Sequence, residues 1–300
     1  MSTRIGILHP GQMGASVGAA ALAAGAHVLW ASRNRGAATR HRAAAAGLED
    51  GGSLANVVST CDVLISVCPP ASAVAVATSV AALGFDRTYV DANAVAPQTA
   101  LEIASVVREA GARFVDGGII GPPAHKGGTT RLYLSGAEAP FVASLFEDSA
   151  LEGVAMDPTE GSASSLKVCY AAWTKGSSAL LIAVRSLAAA EDVESSLLGE
   201  WALSKPGLEV SSGKAVKNNA FKAWRFAGEM REIANSFEAA GLPGGFHGAA
   251  AEIYDRLESY KNCDPAPDVS EAVATILASA RPGSQTNFTS ATAWTGPRRP

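Results

Sequence analysis

Apolar residues in the first half of this chain fall into short, uninterrupted runs: Ile5-Gly6-Ile7-Leu8, Val28-Leu29-Trp30-Ala31, Cys61-Asp62-Val63-Leu64-Ile65-Ser66-Val67-Cys68, Thr88-Tyr89-Val90-Asp91 and Arg113-Phe114-Val115-Asp116. Runs without polar alternation predict strands covered on both faces, the condition of a parallel sheet. Alanine-rich helical segments separate them, giving a βαβα order. Leu132-Tyr133-Leu134 and Val154-Ala155-Met156 are expected to complete the sheet. Near Asp157-Pro158 the pattern changes. A proline-free helix is predicted from Ser162 to about Ala190, long for a globular domain. Further helices are expected at about 193–203, 218–240, 248–261 and 267–281, with no strand between them. The chain therefore divides into an α/β domain over 1–158 with a doubly wound, largely parallel sheet, and an all-α domain over 159–281. The aperiodic tail, 282–300, reads as mobile or as an extended arm.

The first strand runs into His9-Pro10-Gly11-Gln12-Met13-Gly14 and at once into a helix. A strand, a glycine turn and a helix N-terminus aim unpaired N–H groups and the positive end of the helix dipole at one point, which suits a pyrophosphate. This is the layout of a Rossmann dinucleotide-binding unit. The G-x-G-x-x-G fingerprint is imperfect, since His9 stands where the first glycine would be and Pro10 lacks an N–H. Gly11 lets the backbone approach a ligand, and Gly14 lets helix and strand pack closely. Eighteen residues after Gly14, where NAD-selective sites place a carboxylate, the chain has Ser32 followed by Arg33, with Arg35 in reserve. A hydroxyl beside guanidinium groups suits a 2′-phosphate, so the expected cofactor is NADP(H). Ligands of such sheets bind at the carboxyl ends of the strands, where Cys68 and Pro69, Asn93 and Gly121 fall.

Composition narrows the class. A hydrophobic fraction of 48% supports a large core, and a net charge of -4 with no basic run argues against nucleic acid. Cys61, Cys68, Cys169 and Cys263 are scattered, so neither a disulfide framework nor a metal site is indicated. Around Ala179–Val184 the longest apolar stretch is flanked by Lys175 and Arg185, far short of a membrane span. With no targeting segment visible, the cytoplasm is the expected location. The apolar Leu180, Leu181, Ile182 and Val184 predict a homodimer that covers the long helix.

On that helix Lys167, Tyr170, Ala171, Thr174 and Lys175 share one face, while Leu166, Cys169 and Trp173 lie on another. A lysine and a phenol within one turn are proton donors; the alternative for Lys167 and Lys175 is solvated surface lysine. Farther on, Phe226, Met230, Ile233 and Phe237 form a core stripe. Arg225 and Glu229 are spaced as an i,i+4 pair, and His247 reads as a packing or capping histidine.

These segments resemble the β-hydroxyacid dehydrogenase superfamily, which includes 3-hydroxyisobutyrate and 6-phosphogluconate dehydrogenases. The resemblance covers about residues 4–190 and rests on Gly11-Gln12-Met13-Gly14, Val90-Asp91-Ala92-Asn93-Ala94-Val95-Ala96-Pro97, the loop from Asp116 to Gly128, and Gly161-Ser162-Ala163-Ser164-Ser165-Leu166-Lys167. It implies that Lys167 is the catalytic acid/base, that Asn93 borders the nicotinamide, and that a dimerising helical domain closes the site. Two positions depart from the family pattern: Ile120-Gly121-Pro122 replaces a Ser-Gly-Gly substrate loop, and Ala171 stands where an asparagine is expected. The sequence Gly121-Pro122-Pro123 is closer to the loop of imine reductases, a branch of the superfamily. The second domain, with Ala223–Met230 and Gly241–His247, resembles an uncharacterised helical domain of some 6-phosphogluconate dehydrogenase-like proteins.

The expected activity is NADPH-dependent hydride transfer between nicotinamide and a small polar carbonyl or 3-hydroxy compound. Lys167 would act as acid/base with Tyr170 and Asn93, and Gly121, Pro122, Thr174 and Trp224 are the candidate substrate contacts. Imine reduction is the alternative chemistry, and cofactor binding without turnover the alternative from another class.

Overall fold

The computed structural model describes residues 2–156, 158–261 and 263–279. Alternating strands and helices come first: β1 (Arg4–Ile7), α1 (Gln12–Ala23), β2 (His27–Trp30), α2 (Ala37–Ala45), β3 (Glu49–Asp50), α3 (Leu54–Thr60), β4 (Val63–Ser66), α4 (Ala73–Ala81), β5 (Thr88–Asp91), α5 (Pro97–Glu109) and β6 (Arg113–Ile120). Then follow β7 (Thr130–Ser135), α6 (Ala139–Ser144) and β8 (Leu151–Ala155). The eight strands form one sheet in the order β3-β2-β1-β4-β5-β6-β7-β8. Where a helix joins two strands they run parallel. The loop between β6 and β7 has no helix, so β7 returns antiparallel to β6, and β8 pairs parallel to β7.

Alternation along each strand divides the core in two. Ile5, Ile7, Val63, Ile65 and Val90 meet α1, α2 and α6 on one face. Leu64 and Tyr89 meet α3, α4 and α5 on the other. Because the chain builds outward from β1 to β3 and then returns to β4, a crevice opens at the carboxyl ends of β1 and β4.

The rest is helical: α7 (Ser162–Ala190), α8 (Glu194–Ser204), α9 (Leu208–Asn219), α10 (Ala223–Ala239), α11 (Gly245–Asp255) and α12 (Val269–Ala278). They close on a third core that includes Val168, Ile182, Met230, Tyr254 and Ile276. Several elements differ from the sequence reading. Helix α9 was not anticipated, because only Ser212, Ala215 and Val216 of its polar sequence are buried and the apolar stripe is faint. A 3-10 turn at Ala220–Lys222 separates α9 from α10, so the helix expected at 218–240 begins at Ala223. The helix expected at 248–261 is Gly245–Asp255, started by glycines that read as loop, and a separate turn follows at Glu258–Tyr260. The tail over 282–300 lies outside the described residues.

The four apolar residues behind the homodimer expectation separate here. Ile182 is fully buried and Leu181 packs against the helical core, so neither is free for a partner. Trp173 (75% exposed), Leu180 and Leu187 instead form an exposed apolar stripe on α7 at seven-residue spacing. Among the described residues no helix is long and apolar enough to cross a membrane.

Candidate active site

The cofactor crevice is built at the first βα turn. Helix α1 starts after Gly11, and no side chain caps it. Its first N–H groups are therefore available, and a Cβ on Gly11 would meet nothing within 4 Å, leaving open approach to them. At Gly14 a Cβ would lie 2.3 Å from the His9 carbonyl oxygen, so only glycine lets α1 sit this close to the turn. His9 bridges to the next loop, its Nε2 accepting from Arg35 Nη2 at 2.7 Å. Burial and the Arg35 guanidinium push the imidazole down to about 4, so the ring is neutral near pH 7. With Nε2 accepting, Nδ1 carries the proton, and that buried donor has no partner among the described residues. An unpaired helix N-terminus, an open glycine and a spare N–H donor fit a dinucleotide phosphate.

At the end of β2, Ser32 is buried while Arg33 is exposed. A carboxylate enters here that the sequence reading missed. Asp50, from the two-residue edge strand β3, is held below the ordinary carboxylate range by bonds from the Ser32 hydroxyl and the Gly52 N–H. Its only sequence signal is a short polar pair before Gly51-Gly52. The Arg40 guanidinium donates to the Arg35 carbonyl at 3.1 Å and also acts on Asp50.

Beside the crevice, the ends of β4, β5 and β6 hold a buried polar network. Asn93 accepts from the Cys68 N–H at 2.5 Å and donates to Ser66 Oγ at 3.1 Å and to Asp91 Oδ1. These bonds fix the amide orientation. Asp91 is fully buried, and its Oδ2 lacks a partner among the described residues. Burial, with Asp116 nearby, raises its carboxyl to about 7 against the bonds from Asn93. Between the ordinary carboxylate range and about 7, the native protein keeps a proton that the unfolded chain has released. Rising pH across that window therefore costs stability. Asp91→Asn retains the acceptor for Asn93 and cannot ionise. The variant is expected to melt about 3–6 °C above the native protein at pH 8 and level with it at pH 4. Melting curves at the two pH values check this, and an equal offset at both would contradict it.

Asp116, on β6, anchors α7. Its Oδ2 accepts from the Ser164 N–H at 2.9 Å and from Ser135 Oγ at 3.1 Å, and its Oδ1 accepts from Ser164 Oγ at 2.5 Å. Ser135 Oγ in turn accepts from the Ala163 N–H at 3.1 Å. Gly118 lets α7 lie on the strand, since a Cβ there would stand 2.6 Å from the Ala163 carbonyl oxygen. One turn on, Lys167 Nζ donates to the Ile119 carbonyl at 2.6 Å. Burial first, and then the like charges of Lys175 and Arg225, bring its ammonium down to about 8, with Glu229 opposing them.

Lys167 opens on a narrow cleft shared with Ala94, Ala171, Glu229 and Glu232. The two glutamates come from α10. Glu232 Oε2 accepts from the Ala96 N–H at 2.8 Å and from Thr99 Oγ1 at 3.2 Å, capping α5 and tying the helical half to the sheet. The substrate-loop candidates Gly121 and Pro122 are exposed next to Ile120. Their loop is fastened by Thr130 Oγ1 donating to the Pro122 carbonyl at 2.6 Å and by the Ala124 N–H donating to Ser16 Oγ at 3.0 Å.

The remaining candidates lie as follows. Pro10 is buried, Met13 is half-buried, and Gln12 and Pro69 are exposed. Tyr170 is 47% exposed. Thr174 Oγ1 is used within α7, donating to the Tyr170 carbonyl at 3.0 Å. Trp224 carries the Lys261 ammonium 4.2 Å above its ring. Two expectations are corrected. Glu229 pairs with Lys175 rather than with Arg225, whose guanidinium lies over the Phe226 ring at 5.3 Å. Lys175 is therefore no solvated surface lysine. His247 packs between Phe237 and Phe246, as a core histidine would.

A glycine-turn crevice, an oriented asparagine and a buried lysine, with a second, helical domain, fit a nicotinamide dinucleotide-binding protein. Residues 4–150 match the NAD binding domain of 6-phosphogluconate dehydrogenase, and residues 188–257 match a domain of unknown function, DUF1932. These two matches, with the solved structures that follow, support the β-hydroxyacid dehydrogenase superfamily. A conserved hypothetical protein from Sinorhizobium meliloti is similar at 25% identity, with a TM-score of 0.66 over 92% of this chain and 96% of the other. Mycobacterium tuberculosis 3-hydroxyisobutyrate dehydrogenase, solved with L-serine, shares the fold at 20% identity, with a TM-score of 0.65 over 92% and 99% of the two chains. A reductive aminase from Aspergillus terreus, solved with NADPH and ethyl-5-oxohexanoate, shares it at 18% identity, with a TM-score of 0.55 over 91% and 99%. No curated protein matches the chain in sequence.

Proposed function

We propose that this protein is an NADPH-dependent oxidoreductase, acting as a homodimer, that interconverts a small polar carbonyl compound and its 3-hydroxy counterpart, with Lys167 as general acid/base. The observation that carries this reading is the place of Lys167, buried, bonded through Nζ to the Ile119 carbonyl and lining a cleft beside Ala94 at the Asn93 strand end, where burial brings its ammonium down to about 8. A group poised near neutrality gives and takes a proton with little cost in either direction. A bound nicotinamide supplies the hydride. Asn93, locked by Asp91, Ser66 and Cys68, orients what lies at the strand ends. Lys167 delivers the proton to the developing oxyanion, and the α1 N-terminus binds the pyrophosphate.

The preference for NADPH rests on Arg33, Arg35 and Arg40, three cations around the end of β2 against the single carboxylate of Asp50. Parallel titrations with NADPH and NADH, followed by nicotinamide fluorescence, test it. The expected result is at least about 10-fold tighter binding of NADPH, the scale of one charge-assisted phosphate contact. Equal affinities would mean that Asp50 cancels the arginines.

A second reading, imine reduction, is favoured by the Gly121-Pro122-Pro123 loop, which brings no hydroxyl to grip a carboxylate. Following NADPH oxidation with ketoacids, aldehydes and cyclic imines side by side separates the two. Turnover of carbonyls alone removes the imine reading.

A further inference from the structure

The third wall of the Lys167 cleft comes from α10, within the domain of unknown function, and it brings a carboxylate to the lysine. Glu229 is almost enclosed, with 12% of its side chain exposed, and Lys175 grips it through Oε2 with 14% exposed. Lys175 is fixed in turn, its ammonium 4.9 Å from the Phe226 ring centroid and its carbonyl accepting from the Tyr254 hydroxyl at 2.8 Å. Two turns earlier on the same face of α7 is Lys167, and between the two lysines Ala171 offers only a methyl group. The room left by Ala171 is where Glu229 lines the cleft. Of the two glutamates that line the cleft, Glu232 caps α5, whereas Glu229 pairs only with Lys175 among the described residues.

We propose that Glu229, clamped by Lys175, is a positioning residue for Lys167, setting a fixed carboxylate in the cleft that the lysine lines, beside the bare methyl group of Ala171. This rests on the reading of Lys167 as the acid/base. The groups facing Lys167 are Lys175 on its own helix, Arg225, Glu229 and the α5-bound Glu232 on α10, and the Ile119 carbonyl at the end of β6. Tyr254 of α11 faces Glu229 behind them. Burial would lift the Glu229 carboxyl, but Lys175 and Lys167 hold it below its ordinary value, so it is an anion throughout the working range. An anion favours the charged lysine, and a neighbouring ammonium disfavours it.

The two partners should therefore act on Lys167 in opposite directions. The test is a pH titration of the Lys167 Cε resonance in full-length protein labelled with 13C-lysine, assigned by its loss in Lys167→Arg, without cofactor or substrate. Glu229→Gln is expected to lower the Lys167 midpoint by roughly 1 unit, and Lys175→Met to raise it, because Met keeps the stem while freeing Glu229 for Lys167. Should Glu229→Gln fail to fold, the double variant Glu229→Gln/Lys175→Met, which leaves neither charge of the pair buried alone, decides: its Lys167 midpoint is expected below that of Lys175→Met, and an equal one overturns the proposal. An unmoved midpoint in Glu229→Gln, or an unmoved or lowered one in Lys175→Met, overturns the proposal. The readout does not depend on the reaction. Turnover lost in Lys167→Ala with both midpoints unmoved removes Glu229 alone, whereas turnover kept in Lys167→Ala removes the catalytic reading on which Glu229 depends.

Discussion

Lys167→Ala is expected to lower turnover by at least about 10²-fold, the scale of one general acid, while leaving the affinity for NADPH unchanged. The split follows from where the lysine sits. Its Nζ is bonded to the Ile119 carbonyl at the far end of β6, whereas the groups proposed to bind the phosphates belong to the β1 and β2 loops. Removing the side chain deletes an ammonium from the cleft without touching the α1 N-terminus or the His9–Arg35 contact. Stopped-assay turnover with the best carbonyl found in the screen, beside a fluorescence titration of NADPH, separates the two quantities. Unchanged turnover sinks the role of Lys167. Loss of NADPH binding would show instead that the variant has disturbed α7 and the sheet edge. Lys167→Arg should recover little, since a guanidinium stays protonated and cannot cycle.

Much of this was legible in the sequence because it depends on local rules. Buried parallel strands show as unbroken apolar runs, and β1, β4 and β5 stand where those runs stand. A proline-free, strongly patterned segment gave α7 its observed limits of Ser162–Ala190. Helix α9 escaped because its stability comes from packing on α7 rather than from its own pattern, and tertiary contacts override weak local signals. The same limit applies to charge. Spacing alone favoured Arg225 with Glu229, four residues apart on one helix, but the structure gives Glu229 to Lys175 from another helix. Asp50 and Asp116 also acquire their neighbours only through the sheet: β3 carries Asp50 beside Ser32, and β7 brings Ser135 to Asp116. A pair made across elements leaves no periodic trace in the chain.

Asp116→Ala is expected to destabilise the protein by about 2–4 kcal/mol, or roughly 5–12 °C in melting temperature. The carboxylate is the acceptor for the Ser164 N–H, the Ser164 hydroxyl and the Ser135 hydroxyl. Alanine leaves these donors buried without it, and it strips the anion from the positive end of a 29-residue helix. Burial raises the Asp116 carboxyl, so part of the loss is returned when the desolvated charge disappears. The net figure is therefore smaller than the sum of three orphaned donors. Asp116→Asn should fall between alanine and the native residue, since one amide oxygen can serve only some of these donors. Turnover should also fall at temperatures where the alanine variant is still folded, because Lys167 lies one turn along the helix whose start has been released. Calorimetric melting and a turnover assay well below the transition measure the two effects separately. A melting temperature within about 1 °C of native would mean that Gly118 and the packing of α7 on β6 hold the helix without its cap. A normal melting temperature with reduced turnover would confine Asp116 to setting the position of Lys167.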